Sequence, residues 1–135
     1  MSKTILSVNG NKSMNYLLNT IITHQHQFIP VSDIFSAMKE LKKNSSISVV
    51  LLDIDTNIDE SLDFIHHLQT SSLFNVSIIT LSGNKSSALR KSLEVDLCVH
   101  EFFYKPFNPV DILKSIEKAS LVETTLRNRL SVIAS

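Results

Sequence analysis

The chain has 135 residues, 43% of them hydrophobic, which is the size and composition of one folded domain and not of a disordered protein. Its 13 basic and 13 acidic residues cancel, so no basic excess indicates a nucleic-acid-binding face. The single cysteine, Cys98, excludes an internal disulfide, and the sequence has neither a membrane-length apolar stretch nor a visible signal peptide, so we expect a cytoplasmic protein without a membrane partner.

Five short apolar runs alternate with helix-like segments along the chain. The predicted strands are Lys3–Val8, Gln27–Val31, Ile47–Leu52, Val76–Leu81 and Glu101–Tyr104. Apolar runs of this kind, separated by helices, are typical of buried parallel strands. The second run contains Pro30, whose nitrogen cannot donate to a neighbouring strand, so we expect that strand at an edge of the sheet.

Apolar residues at helical spacing predict five helices between and after these strands. The first is capped by Ser13, the second by Ser32 or Asp33, the third and fourth span Ser61–Leu68 and Ser86–Leu93, and the last begins at Pro109 after Asn108 as its cap. Strands and helices in strict alternation imply right-handed crossovers. We therefore expect an α/β fold with one doubly wound, five-stranded parallel sheet.

The final helix has an apolar repeat that continues beyond the predicted domain of residues 1–120. Its members are Ile112, Ile116, Ala119, Leu126, Leu130 and Ile133. The positions up to about Ala119 are expected to pack on the sheet. The extension over residues 121–135 has two interpretations, a frayed tail or linker and a helix that pairs with another chain, for instance in a homodimer.

Three polar residues stand where apolar runs end. Asp53 follows the third strand, Ser82 the fourth and Lys105 the fifth. Sites in parallel sheets form just beyond the carboxyl ends of the strands. A carboxylate, a hydroxyl and an ammonium group are therefore predicted to converge on one crevice.

Four stretches place these residues in a family pattern: ILSVNGN (Ile5–Asn11), VVLLDID (Val49–Asp55), SIITLSG (Ser77–Gly83) and EFFYKPF (Glu101–Phe107). With these stretches, the chain resembles the CheY-like receiver domain of two-component response regulators from about residue 3 to residue 119. The resemblance implies a flavodoxin-like fold with strand order 2-1-3-4-5, in which the strand of Pro30 is an edge strand.

The resemblance also implies a role for each residue at the strand ends. Asp53 matches the aspartate that accepts a phosphoryl group from a histidine kinase or phosphotransfer protein. Ser82 matches the hydroxyl residue that binds the phosphate, and Lys105 the lysine that pairs with a phosphate oxygen. Phe102 stands where an aromatic residue often turns inward when the phosphate forms.

The chain departs from the family at the metal site. Receivers usually carry an acidic pair after the first strand that binds Mg²⁺, and here the matching residues are Asn9 and Gly10. Mg²⁺ relies on carboxylate oxygens, so we expect a weakened site made by Asn9, Gly10, Asp53 and Asp55. The side chain of Asp55 could partly replace a lost ligand, because residues two apart on an extended segment can face the same side.

Smaller departures lie near Asp53 and before the last strand. The family often has a proline where this chain has Asn57, a glycine at Ser61, and a Gly-Ala pair at Cys98 and Val99.

His66 and His67 are adjacent on a helix and do not share a face, so we expect no histidine metal site.

Two functions follow from these observations. The first is a stand-alone receiver, not an enzyme, that is phosphorylated on Asp53 and signals through the face made by helix four, strand five and helix five, here Ser86–Leu93 and Phe102–Lys114. The second is a degenerate receiver that binds or dimerises without phosphorylation, motivated by Asn9, Gly10 and the heptad pattern. An unrelated small-molecule binder on the same fold is a remote third interpretation.

Overall fold

The structure is a computed structural model that describes residues 2–119. Five parallel strands form one sheet in the order β2-β1-β3-β4-β5. The strands are β1 (Thr4–Val8), β2 (Gln27–Val31), β3 (Ile47–Asp53), β4 (Ser77–Ser82) and β5 (Glu101–Tyr104). This is the predicted α/β fold, and Pro30 lies on an edge strand as its missing N–H requires.

Helices connect the strands and pack on both faces of the sheet. They are α1 (Lys12–Ile22), α2 (Ile34–Lys43), α3 (Ile58–Thr70) and α4 (Ser87–Lys91), with a turn of π-helix at Ser92–Asp96 after α4. A fifth helix, α5, begins at Pro109 and is described as far as residue 119. The predicted extension over residues 121–135, and the end of its heptad pattern, lie outside the described residues.

Two of the predicted helix starts are wrong, because an asparagine upstream caps the helix. Asn11 Oδ1 accepts the N–H of Met14, so α1 begins before Ser13. Asn57 Oδ1 accepts the N–H of Glu60, so α3 begins before Ser61. In each case the side chain satisfies one of the first N–H groups of the helix, which have no partner within the helix.

The other two predicted caps are confirmed. Asp33 Oδ1 accepts the N–H of Ser36 at the start of α2. Asn108 Oδ1 accepts the N–H of Val110 at the start of α5. Proline at the first position of α5 has no N–H to leave unsatisfied.

The sheet separates two hydrophobic clusters. On one face, α2 and α3 cover strand residues that include Leu6, Val50 and Leu52. On the other face, α1 and α5 cover Ile5, Val49, Leu51, Ile79 and Leu81. Alternating side chains of each strand supply the two clusters in turn.

The predicted packing of the last helix is confirmed for its described part. Ile112, Ile116 and Ala119 are fully buried against the sheet. The ammonium group of Lys3, just before β1, donates to the carbonyl oxygens of Ile116 and Glu117 at 2.7 and 2.8 Å. The helix is thus held to the sheet by apolar contacts and by a charged donor.

Cys98 precedes β5 with a φ of 53°, in the left-handed region that favours glycine. This is one of the two positions where the family pattern has a small Gly-Ala pair. The exposed side chain of Cys98 lies within the turn, and its Sγ donates to the carbonyl oxygen of Val95 at 3.4 Å. The strand that follows is anchored by a bond from His100 N–H to the carbonyl oxygen of Ile78, 2.8 Å long.

Candidate functional site

The carboxyl ends of β3, β4 and β5 bring Asp53, Ser82 and Lys105 together. Asp53 and Ser82 are the last residues of β3 and β4, and Lys105 directly follows β5. The N–H of Lys105 donates to the carbonyl oxygen of Ser82 at 2.9 Å, which fixes the lysine beside the end of β4. The predicted convergence of these residues is what the register of the three strands produces.

Lys105 links two carboxylates. Its Nζ lies 2.6 Å from Asp53 Oδ2 and 2.8 Å from Asp55 Oδ2. The side chain of Asp53 is only 6% exposed, whereas that of Asp55 is 35% exposed. Two carboxylates and one ammonium group leave this part of the site with a formal charge of −1.

The pKa of Lys105 reflects this environment. Partial burial lowers the pKa of the ammonium group, but its hydrogen bonds and charge attraction to Asp53 and Asp55 outweigh that effect. The pKa of Lys105 is therefore raised above its ordinary value, and the group stays charged at neutral pH.

Asp55 is the most heavily bonded side chain of the site. Besides Lys105, its Oδ1 accepts the hydroxyl of Ser82 at 2.5 Å and its Oδ2 accepts the N–H of Gly83 at 2.9 Å. Burial raises the pKa of this carboxyl, but the bonds from Lys105, Ser82 and Gly83 outweigh burial and hold the pKa below its usual value. Asp55 is thus an ionised acceptor for donors from two neighbouring strand ends.

Asp55 and Asp53 face the same side, as their spacing predicts. The backbone between them is held by a bond from Asp55 N–H to Asp53 Oδ1, 2.9 Å long. Both side chains reach the same lysine, in keeping with the two-residue repeat of an extended segment.

Asn9 and Gly10 lie on the other side of Asp53. They line a cavity of about 170 Å³ together with Asp53, Thr56 and Glu60. Asn9 Oδ1 accepts the N–H of Asn11 at 2.9 Å, and its buried Nδ2 has no hydrogen-bond partner. Asn9 could reach a metal only through its neutral Oδ1, which already accepts from Asn11, and Gly10 has no side chain, so neither residue supplies the carboxylate on which Mg²⁺ relies.

The described residues therefore lack a ready ligand set for a metal ion. Within residues 2–119 no group of three histidine, cysteine, aspartate or glutamate residues is arranged to hold one. Both oxygens of Asp55 already accept hydrogen bonds, and Asp53 Oδ2 pairs with Lys105. A weakened Mg²⁺ site, with Asp55 as the substitute ligand, stays a prediction.

Phe102 is buried, with 6% of its surface exposed, and belongs to the cluster under α2 and α3. Its ring meets that of Tyr104 edge to face, with centroids 4.9 Å apart. The guanidinium of Arg90 on α4 lies 6.0 Å from the centroid of Phe102 and 5.4 Å from that of Tyr104. An aromatic and cationic surface therefore joins α4 to β5.

Sequence reasoning missed the roles of Gly83, Tyr104 and Arg90 in and around the site. The position of Gly83 directly after Ser82 is the signal that could have found its N–H, because backbone donors at strand ends bind anions as well as side chains do. The stacking of Arg90 on two rings has no local signal, since α4 and β5 meet only in the folded chain.

Comparisons with known proteins agree with this architecture. Over 134 residues the sequence is 25% identical to "Regulatory protein VirG" of Agrobacterium tumefaciens and to its counterpart in Rhizobium radiobacter. These alignments cover 98% of this chain and 47% of each relative, so the chain spans about half the length of the curated relatives it matches. No family model matches the chain.

Solved structures decide the fold. A response regulator from Thermotoga maritima matches with a TM-score of 0.77 at 18% identity, covering 87% of this chain and 97% of that one. The chain has the receiver fold of response regulators. Vibrio cholerae CheY4 matches with a TM-score of 0.75 at 18% identity, over 87% of this chain and 98% of the other. The receiver domain of a Pseudomonas fluorescens HD domain-containing protein matches at 0.78 and 16% identity, over 95% and 93%.

The receiver fold gives each feature of the site its place. Asp53 ends the central strand of the receiver, Ser82 ends the next strand outward, and Lys105 directly follows the outermost strand on that side. No helix among the described residues has the length and apolar character needed to cross a membrane.

Proposed function

We propose that this receiver domain accepts a phosphoryl group on Asp53 from a histidine kinase or phosphotransfer protein and signals by contacting another protein. The observation that supports it is the ion pair of Asp53 with Lys105, 2.6 Å long, beside the hydroxyl of Ser82. The similarity to a regulatory protein over nearly the whole chain adds support for a signalling role, which we place in the cytoplasm.

In the proposed phosphoryl transfer, the protein positions the reacting groups and neutralises their charge. An oxygen of the Asp53 carboxylate attacks phosphorus, an O–P bond forms, and the P–N bond to the donor histidine breaks. The histidine nitrogen keeps the electron pair of that bond and takes a proton. Lys105 neutralises charge on the transferring group, and Ser82 can donate to one of its oxygens. Positioning and charge stabilisation of this kind supply most of the rate in phosphoryl transfer.

The proposed output surface lies on α4, β5 and α5. Arg90 and Tyr104 expose a guanidinium stacked on a phenol ring there, and Lys85 Nζ lies 5.9 Å from the same ring. Arg90 also pairs with Glu94, which holds the guanidinium in place. Arginine and tyrosine are favoured anchors in protein interfaces, so we place the downstream partner on this face.

Labelling with acetyl phosphate tests the proposal without a known kinase. Intact-mass spectrometry is expected to detect one added phosphoryl group on the wild-type chain, and hydroxylamine is expected to remove it. Asp53→Asn keeps the shape and loses the nucleophile, so it is expected to stay unlabelled. Asp59→Asn removes the same charge from the exposed start of α3 and is expected to be labelled as the wild type. Equal labelling of the wild type and Asp53→Asn would contradict the proposal.

Magnesium enters this experiment as a second variable. Because Asn9 and Gly10 offer no carboxylate, we expect the labelling rate to differ little between magnesium chloride and a chelator. A strong increase in rate with magnesium would show that the carboxylates of Asp53 and Asp55 suffice to bind it.

A second function, a phosphorylation-independent binding module, is favoured by one observation. The amide of Asn9 is buried and turned to the Asn11 backbone, where a metal-binding carboxylate is expected in a receiver. Unchanged signalling by Asp53→Asn in the native host, together with no labelling of the wild type, is the result expected for this function.

A further inference from the structure

The phosphoryl-binding donors predicted at this site already hold an anion that belongs to the chain. A hydroxyl, a backbone N–H and an ammonium group converge on the carboxylate of Asp55 at 2.5, 2.9 and 2.8 Å. They come from Ser82, Gly83 and Lys105. Hydroxyl, backbone N–H and ammonium donors are the groups that commonly bind oxyanions in proteins.

The donors that hold this carboxylate are the ones that a phosphoryl group on Asp53 would need. Lys105 touches Asp53 and Asp55 with the same Nζ atom, so the donors of the site stand directly beside the nucleophile. A phosphoryl group attached to Asp53 would accept hydrogen bonds from the same three donors. The side chain of Asp55 and the phosphoryl oxygens cannot both occupy them, and their negative charges would repel one another at this distance.

The Asp55 side chain can leave the site by rotation. Its side chain is 35% exposed, and the residue follows β3 outside the regular strand. A rotation about its side-chain bonds would carry the carboxylate into water, where solvation offsets part of the lost hydrogen bonds. Asp53, by contrast, is 6% exposed and stays at the strand end.

We propose that Asp55 is an internal anion that fills the donors of Ser82, Gly83 and Lys105, so that the site takes an external phosphate or phosphoryl group only when the Asp55 side chain moves out. This inference rests on the proposed function, because it names the group that competes with phosphorylation. Asp55 then keeps the end of β4 in its anion-bound arrangement while Asp53 is unmodified, and it slows the loading of the site.

The two glycines of the chain allow a sharp test. Gly83 donates to Asp55, whereas Gly10 lies beyond Asp53 in the neighbouring cavity. Protein labelled with ¹⁵N-glycine therefore has two glycine amide signals, one from the donor to Asp55 and one from the other side of Asp53. Gly83→Ala assigns the two signals, since an added Cβ there meets Asp55 Oδ2 at an ordinary 3.6 Å.

The experiment compares the wild type with Asp55→Ala, and uses Asp59→Ala as a control for loss of an exposed charge. We expect the Gly83 amide proton to shift in Asp55→Ala and to stay unchanged in Asp59→Ala. On titration with inorganic phosphate, Asp55→Ala is expected to bind phosphate about tenfold more tightly than the wild type, because no carboxylate then competes for the donors of Ser82, Gly83 and Lys105. If Asp55→Ala does not fold, Asp55→Asn replaces it, and its phosphate affinity is still expected to rise.

The possible results separate the two proposals. An unchanged Gly83 signal, or equal phosphate affinity in the wild type and Asp55→Ala, would overturn the internal anion whatever the labelling shows. Absence of acetyl phosphate labelling in both proteins, with the Gly83 shift and tighter phosphate binding present, would overturn phosphorylation of Asp53 and leave the internal anion supported. Faster labelling of Asp55→Ala than of the wild type would support both.

Discussion

Lys105 decides the electrostatics of the site at the scale of single residues. It is the cation between two carboxylates, one of them almost fully buried. In a receiver with an acidic pair, several carboxylates crowd the phosphoacceptor, but here Asn9 and Gly10 remove that crowding. The ion pair of Lys105 is therefore expected to stabilise the fold, in addition to its part in the proposed phosphoryl transfer.

Lys105→Met tests this expectation. It leaves Asp53 buried beside Asp55 without a cation, and we expect the free energy of unfolding to fall by about 1–3 kcal/mol, less than for a fully buried pair because the lysine is partly exposed. Urea unfolding at neutral pH measures the change.

The matched comparison is the double variant Asp53→Asn with Lys105→Met. Removing the buried charge along with its partner should recover part of the loss, so the double variant is expected to be more stable than the sum of the single effects predicts. Strict additivity would show that the two groups do not interact energetically in solution.

At the scale of the helices, asparagine and aspartate side chains set most of the starting points. Asn11, Asp33, Asn57 and Asn108 each accept a backbone N–H of the first turn. Asn57 stands where the family often has proline, and the structure explains the residue: it begins α3 three residues earlier than predicted and places Glu60 beside the site.

Replacement of Asn57 separates the cap from the rest of the side chain. Asn57→Ala is expected to lower the free energy of unfolding by about 1 kcal/mol, whereas Asn57→Gly is expected to cost only a few tenths. Thermal unfolding followed by circular dichroism measures both variants. Equal stability of Asn57→Ala and the wild type would mean that the hydrogen bond to Glu60 contributes nothing in solution.

The whole molecule depends on a sheet that is buried on both faces. Leu51 and Leu52 are neighbours on β3, yet they belong to different clusters on opposite sides of the sheet. The helices α1 and α5 cover one cluster, and α2 and α3 cover the other. Because the strands are shared, loss of packing on either face is expected to weaken the entire domain.

Leu51→Ala tests how much the packing on one face of the sheet contributes to the stability of the whole domain. Leu51 is fully buried, so the substitution is expected to cost about 2–5 kcal/mol through lost burial and the cavity that it leaves. Leu17→Ala is the control, because Leu17 is 43% exposed and its loss is expected to change stability by about 0.5 kcal/mol or less. A similar small loss for both variants would mean that the core repacks around the missing side chain.

Much of the fold was readable because it rests on patterns local to the chain. The apolar runs predicted all five strands to within a residue or two at each end, and Pro30 predicted an edge strand. The starts of α1 and α3 were misplaced. The sequence alone does not show which polar side chain caps a helix, and the structure assigns the capping hydrogen bonds to Asn11 and Asn57.

The sequence by itself determined that Asp53, Ser82 and Lys105 stand at strand ends, because the length of each apolar run dictates where its strand stops and parallel strands share one edge. Only the tertiary structure decided what those residues bind. The bonds of Asp55 to Ser82 and Gly83, across 27 and 28 residues, depend on the register of β3 against β4 and on the side-chain rotamers within the crevice. No local pattern encodes such contacts, because they form only when distant segments pack side by side.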